Sequence, residues 1–317
     1  MAGSIRPVLF IVIGMFAIAV NDVLFKLFSG DYSLYQLVAT RSGLALCILL
    51  PAFMRTTAFK TIITTRRPWL TALRCCLLVM ANSLFFAGLA SLPLAESSAL
   101  VFLAPLVTMT LAHFVLGETV GPVRWAMAAL AFAGMICVVQ PFSASFERAY
   151  LLPLAAAFAY GTFNSVTRAL ARTEGTATLA FYPMLAFFVS SVILGLIFAS
   201  SGDQSGLHPS LAFLTRPWQW PSLQDWVFMG LIGLGASVIA SSLAAAYRMG
   251  EASFLAPFEY VYLVFGLIFG YAVWRDFPND LALLGMAMIL TAGIVMAWRE
   301  VQKGRRLARG YYGSEEP

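Results

Sequence analysis

The chain has 317 residues, 60% of them apolar and only 11% charged, with a formal net charge of +5. A soluble domain carries about 25% charged residues, so this composition excludes an ordinary soluble fold and describes an all-α polytopic membrane protein. The surplus Lys and Arg sit at the ends of apolar runs and in the C-terminal tail, a placement that fits membrane orientation better than nucleic-acid binding.

Ten apolar spans can be counted along the chain, near 8–28, 34–54, 69–90, 96–116, 123–140, 149–171, 177–200, 225–247, 252–274 and 280–299. Most connections are short and marked by Gly, Pro or Ser, such as Ser29–Ser33, Leu116–Pro122 and Arg172–Gly175. Two are longer, 55–68 and 201–224, and the second is rich in Pro and Trp and reads as an interfacial loop. The first span, with Arg6, an apolar run from Val8 to Phe16 and then Ala17-Ile18-Ala19, imitates a signal peptide. The preferred reading is a span that simply continues to Phe28. The four cysteines, Cys47, Cys75, Cys76 and Cys137, lie inside apolar runs without metal spacing and read as small core residues, so no metal, cofactor or disulfide is expected.

Basic residues orient the chain. Arg55, Lys60, Arg66 and Arg67 lie between spans 2 and 3, Arg124 follows span 4, Arg172 follows span 6, and Lys303, Arg305, Arg306 and Arg309 lie in the tail. The other side has Arg148, Arg216 and Arg275. The richer side belongs in the cytoplasm, which puts both termini there and predicts a bacterial inner-membrane protein.

The two halves repeat. Span 4 opens with Leu92-Pro93-Leu94-Ala95-Glu96-Ser97-Ser98 and reaches Ala104-Pro105; span 9 opens with Gly250-Glu251-Ala252-Ser253 and reaches Ala256-Pro257. Each ends in an acidic residue, Glu118 or Asp276, followed by a breaker and a Gly-bearing span. Spans 1 and 6 also correspond, each ending in a basic residue, Lys26 or Arg168, after a polar patch. The repeats are therefore spans 1–5 (8–140) and 6–10 (149–299), with a basic cytoplasmic tail at 300–317. Five is odd, so the second copy must enter the membrane from the opposite side. Inverted repeats are typical of secondary transporters, whose substrate site lies near the midplane between repeats.

These motifs, 92–120 with the Gly-bearing fifth span and 251–278 in the second half, resemble the drug/metabolite transporter superfamily, in particular transporters built from two EamA-type repeats. Arg41 in Leu37–Leu46 resembles the arginine common in the second span of such repeats. The resemblance covers about residues 8–300 and departs at Arg275-Asp276, where Gly-Glu is common. It implies ten helices around a central cavity among spans 1, 3, 4, 6, 8 and 9, and substrates as varied as amino acids, S-adenosylmethionine and riboflavin.

Several polar residues inside the spans are candidates for that cavity. Glu259 is foremost: it is deep in span 9, has no Lys or Arg within four residues, and stands beside Tyr260 and Tyr262. A charge at such a depth costs roughly 2.5–3.5 kcal/mol on insertion scales. A protonated structural carboxyl, attraction of a cationic or amino group aided by tyrosine faces, and proton binding coupled to transport all explain it. Asp22 and Lys26 are four apart and can pair with one another, or Asp22 can meet substrate. Asn82, Asn164, Ser241 and Tyr260 are further cavity candidates, with Ser237 and Ser242 beside Ser241 included, although hydroxyls in spans also bond their own backbone. Arg41 and Arg74 are possible charge partners: Arg41 for Asp22 or Asp31, Arg74 for a carboxylate or phosphate group unless it snorkels to the cytoplasmic face. Tyr160 and Arg168 share the Asn164 face, with Arg168 read as an anchor, Tyr247 fits the aromatic belt, and His113 reads as packed or interfacial rather than as a proton relay. Gly230, Gly233, Gly235, Gly266 and Gly270 are read as close-approach sites between helices.

The function expected is a non-enzymatic secondary transporter that moves a small amphipathic metabolite across the inner membrane by alternating access, with export as the favoured direction. Uptake of S-adenosylmethionine, riboflavin or a similar metabolite is the alternative, and a channel or membrane scaffold is the alternative of another class. Clustered His, Asp or Glu for an enzyme and a phosphate-binding loop for a pump are both missing from the sequence. The partners expected are a small-molecule substrate and the lipid bilayer, with no nucleic acid, in a monomer or homodimer.

Overall fold

The structure is a computed structural model that describes residues 6–55, 58–116, 121–143, 146–170, 173–198, 206–249, 255 and 258–312. Among these residues the regular structure is helical throughout. Six helices are long and apolar enough to cross a bilayer, and three shorter apolar helices, Leu34–Ile48, Val261–Trp274 and Asp280–Met296, accompany them. The chain is a multi-pass membrane protein.

Helix α1 is Arg6–Phe28 and α2 is Leu34–Met54. A short α3 (Phe59–Ile63) leads into α4 (Pro68–Leu89), which starts on a proline, where the missing N–H is no loss. The fourth apolar run splits into α5 (Leu94–Val101) and α6 (Ala104–Leu116). Helix α7 (Pro122–Val139) also starts on a proline and ends at Gln140, whose φ of 47° is left-handed and closes the helix. The second half holds α8 (Leu151–Leu170), α9 (Thr176–Ile197), α10 (Pro209–Thr215) and α11 (Leu223–Met249). The ninth apolar run gives α12 (Val261–Phe269), which continues as a wider π-turn over Gly270–Trp274 and stops at Arg275, with φ at 60°. Last comes α13, Asp280–Tyr312, so the helix continues through most of the expected tail.

The break between α5 and α6 falls at Phe102–Leu103, directly before Ala104-Pro105. Pro105 has no N–H to return to the Val101 carbonyl, so the ladder cannot close there. A corresponding irregular turn falls at Tyr260, before α12. Glu118, Arg172, Glu251 and Pro257 lie outside the described residues, as do the side chains of Arg168 and Tyr247.

The most extensive contacts join helices of different halves: α1 with α11, α4 with α8, α2 with α9, and α7 with α13. The α7–α13 seam closes on two glycines. A Cβ on Gly134 would stand 2.6 Å from the Gly285 carbonyl oxygen, so only glycine lets the two backbones come so near. Gly233 makes similar room for Leu44, and Gly235 for Asn21, whereas Gly230 faces open space. The connection 201–224, expected as an interfacial loop, contains α10 in its described part from 206 on. Its start is set by Pro209 at the first turn and by His208, whose Nδ1 accepts from Ser210 N at 3.3 Å. The segment is then fastened to the α1–α2 turn: Gln36 Nε2 donates to the Gln219 carbonyl at 2.6 Å, and Arg216 Nη1 donates to the Ser29 carbonyl at 2.8 Å. At the opposite end of the molecule the Glu174 carboxylate accepts from Arg66 N at 2.8 Å and Thr65 Oγ1 at 2.9 Å, tying the α8–α9 turn to the start of α4.

Candidate functional site

The two irregular turns open onto a cavity of about 610 Å³. Its wall draws on α1 (Met15, Ile18, Asp22), α2 (Arg41), α4 (Leu78 to Phe86), the α5–α6 junction (Ser98 to Pro105), α8 (Ala156, Tyr160, Asn164), α9 (Phe187), α11 (Leu243), and Glu259 with Tyr262. Irregular backbone at membrane depth is tolerated where it lines a cavity, and here both breaks do so. The wall is mostly apolar, with a few polar groups from both halves, the usual build of a small-molecule site.

Of the residues anticipated from sequence, Asp22, Asn82, Asn164, Glu259 and Arg41 all meet in this wall. Asp22 is buried at 6% exposure, and its Oδ2 lies 2.6 Å from the Tyr262 hydroxyl. Tyr262 in turn lies 2.9 Å from Ser98 Oγ, and Ser98 Oγ donates to the Leu94 carbonyl at 2.6 Å. Lys26, four residues from Asp22, turns elsewhere: its Nζ donates to the Leu92 carbonyl at 2.6 Å, lies 3.8 Å from Asp276 Oδ2, and sits 4.8 Å from the Trp274 ring centroid. That is the one ion pair within 4.0 Å among the described residues.

Arg41 was expected to pair with Asp22 or Asp31. Instead its Nη2 donates to Asn82 Oδ1 at 3.1 Å, and its guanidinium lies over three rings, Phe25 at 5.0 Å, Phe187 at 5.5 Å and Phe86 at 5.9 Å. Phe25 and Phe86 stack at 4.2 Å, so the cage is itself packed. An arginine held this way keeps a cationic, hydrogen-bonding face at the wall while ring faces stabilise its charge. Arg74 neither enters the cavity nor snorkels. It is buried, donating from Nε to Thr167 Oγ1 at 2.8 Å and from Nη1 to the Leu179 carbonyl at 2.9 Å, with Phe163 4.8 Å from its guanidinium.

Two other anticipated residues stand apart from the wall. Ser241 is on the exposed face of α11. Its neighbour Ser237 bonds its own backbone, to the Gly233 carbonyl at 3.3 Å, and Ser242 is buried beside Gly14. Tyr260 is buried at 7% exposure, its ring 4.9 Å from that of Phe102 and its hydroxyl end resting over Gly293. Of the two tyrosines after Glu259, the one in the wall is Tyr262, because the irregular turn at Tyr260 resets which face follows Glu259. His113 joins an aromatic group, 4.8 Å from Phe114 and 5.5 Å from Trp125. Sequence reading did not select Ser98, Phe25, Phe86 or Phe187. Only Ser98 left a signal, as part of the Glu-small-small start of span 4. Nor did it anticipate that Glu96, buried in the same helix, accepts from the Tyr150 hydroxyl.

Residues 5–140 match the EamA-like transporter family. The chain is similar to a protein of Rhizobium johnstonii named riboflavin transporter, 28% identical over 244 residues, which span 77% of this chain and 75% of that one. It is also similar to an S-adenosylmethionine uptake transporter of Rickettsia bellii, 24% identical over 88% of this chain and 89% of that one. A riboflavin transporter of Vibrio cholerae is 27% identical over 83% of each. A solved crystal structure superposes with a TM-score of 0.59 at 18% identity, covering 94% of this chain and 98% of its own, and shows the shared fold alone.

Proposed function

We propose that this EamA-like chain is a secondary transporter that carries a small amphipathic metabolite across a bacterial inner membrane by alternating access, with both termini in the cytoplasm and ten spans in two inverted five-helix repeats. The observation that carries the reading is the cavity. It lies where two interrupted spans, one from each half, face each other, and discontinuous helices of that kind mark transporter substrate sites. The inverted arrangement is supported by the packing. Span 1 lies on span 8 while span 6 lies on span 3, span 2 lies on span 7, and span 5 lies on span 10, which is the pattern a twofold exchange of halves requires.

The proposed substrate contacts are Arg41 with Asn82 for an anionic or carbonyl oxygen, Glu259 with Tyr160 and Asn164 for a cationic or hydrogen-bond-donating part, and the Phe86 and Phe187 rings for a planar body. The similarity to proteins named for riboflavin and for S-adenosylmethionine uptake supports a conjugated, cofactor-sized cargo, and the second name favours import over the export expected from sequence. The test is flux in proteoliposomes with labelled riboflavin, S-adenosylmethionine and amino acids, loaded inside or outside. Saturable, selective flux supports the transporter. Flux that rises linearly with concentration would mean a channel, and none across the panel would remove the proposal.

A further inference from the structure

Four oxygen atoms form a buried line from α1 through α12 to α5: Asp22 Oδ2, Tyr262 Oη, Ser98 Oγ and the Leu94 carbonyl oxygen. The successive separations are 2.6, 2.9 and 2.6 Å. Oxygens this close must have a proton between them, since two bare lone pairs at that range repel. Three full hydrogen bonds therefore need three protons; with two, the Ser98 proton would be divided between Tyr262 and the Leu94 carbonyl. The Tyr262 and Ser98 hydroxyls supply one each, and the carbonyl supplies none. The remaining member able to hold a proton is Asp22.

We propose that Asp22 is a proton-binding site, occupied in this conformation, and that loss of its proton breaks the line and so couples the cavity to a proton gradient. With Asp22 protonated, the carboxylic acid donates to Tyr262, Tyr262 donates to Ser98, and Ser98 donates to the Leu94 carbonyl. When the acid proton leaves for the cavity, the Tyr262 proton turns to the carboxylate. Ser98 then has one proton for two acceptors, Tyr262 and Leu94, and one contact opens. No bond other than O–H changes, and the released proton goes to water in the cavity. The three residues lie on α1, α5 and α12, and the last two flank the irregular turns, so the change reaches both interrupted spans.

The charges around Asp22 suit this role. Arg41 from α2, Glu259 from the turn before α12 and Tyr160 from α8 share the cavity wall with it. Lys26, one turn along α1, is engaged with Asp276 and the Leu92 carbonyl, and Glu96 of α5 accepts from Tyr150. From α11, Asp225 is held by Tyr32 at 2.7 Å and Ser222 at 2.6 Å, and from α4 Arg74 is held by Thr167 and Leu179. No ion pair within 4.0 Å joins Asp22 to Arg41 among the described residues. A protonated Asp22 thus leaves the Arg41 charge available to an anionic or carbonyl-bearing ligand, and an ionised Asp22 competes with that ligand for it.

Only the coupling step rests on the transporter reading, so two measurements keep the parts distinct. The first is infrared spectroscopy of the purified full-length protein through a pH titration. A carboxylic-acid carbonyl band at neutral pH should vanish in Asp22→Asn, whose amide preserves a donor to Tyr262 and so preserves the fold. In Tyr262→Phe the band should persist at higher frequency, because the acid has lost its partner. A neutral-pH spectrum with no band that depends on Asp22 overturns the proton site, and so does a band indifferent to Tyr262→Phe if Asp22→Asn fails to fold. The second is accumulation in proteoliposomes under an imposed proton gradient, using whichever of riboflavin or S-adenosylmethionine shows flux. Asp22→Asn should lose gradient-driven accumulation at least tenfold while exchange down a concentration gradient continues. Wild-type accumulation in that variant overturns the coupling. Absence of flux for both compounds counts against the transporter reading, while the infrared bands still decide the proton site.

Discussion

The fourth and ninth apolar runs are built on one plan and put to different uses. Both start from a Glu followed by small residues, both break beside an Ala-Pro pair, and both place the break against the cavity. The fourth run contributes a hydroxyl, Ser98, and otherwise an apolar surface through Val101, Phe102, Ala104 and Pro105. The ninth contributes a carboxylate, Glu259, and a phenol, Tyr262. The shared sequence plan thus accompanies both breaks, and of these two runs it is the ninth that brings ionisable groups to the cavity. The fourth run has its own carboxylate, Glu96, but at the helix start, buried and engaged with Tyr150.

Four substitutions, and a fifth as a rescue of the second, bear on that contrast, in falling order of effect. Ala104 is the residue that superposes on Glu259 when the two Glu-small-small starts are aligned, and it is 2% exposed, its carbonyl against Gly161. Ala104→Glu should cost roughly 3–5 kcal/mol, the penalty of an unpaired buried charge, and should prevent accumulation of monodisperse protein by size-exclusion chromatography. A well-folded Ala104→Glu protein would show that the two runs are interchangeable after all. At the other break, Gly293→Ala should cost about 1–3 kcal/mol by overpacking against Tyr260, read as a lowered melting temperature, and Tyr260→Ala should recover part of it. Glu259→Gln keeps the shape and removes the charge. It should leave the melting temperature within a few degrees while lowering saturable flux about tenfold, equivalent to about 1.4 kcal/mol of transition-state stabilisation. Unchanged flux would reduce Glu259 to a structural residue. Ser241→Ala, on the exposed face of α11, should change neither flux nor stability by more than about 0.5 kcal/mol.

Most of the helices were legible in the sequence because apolar length needs no knowledge of orientation. The second span, expected at 34–54, is Leu34–Met54, and the fifth, expected at 123–140, is Pro122–Val139. The facing of side chains was less legible. A helix surrounded by lipid and by other helices is apolar on every side, so periodicity does not say which residue points inward. Glu259, Asp22, Asn82 and Asn164 were found because a polar group inside a span has to be accommodated by protein or water. Tyr260 was chosen as the cavity tyrosine and Tyr262 is the one in the wall, because Tyr260 instead packs on Phe102 and Gly293 from elsewhere in the chain. The fate of Arg74 was hidden for the same reason: its acceptors, Thr167 and the Leu179 carbonyl, are 93 and 105 residues away. Arg41 was a candidate for a carboxylate partner, and the aromatic cage that holds it is assembled from α1, α4 and α9.

The seams of the molecule have a consequence for how it can be cut. Each of the most extensive helix contacts crosses from one half of the chain to the other, and Glu174 adds a stitch from the α8–α9 turn to the start of α4. The peptide link between Gln140 and Phe146 is thus a minor part of what unites the halves. Residues 1–143 and 144–317, produced as two separate polypeptides in one cell, should find each other in the bilayer and purify together, as the interlocked pieces of one bundle.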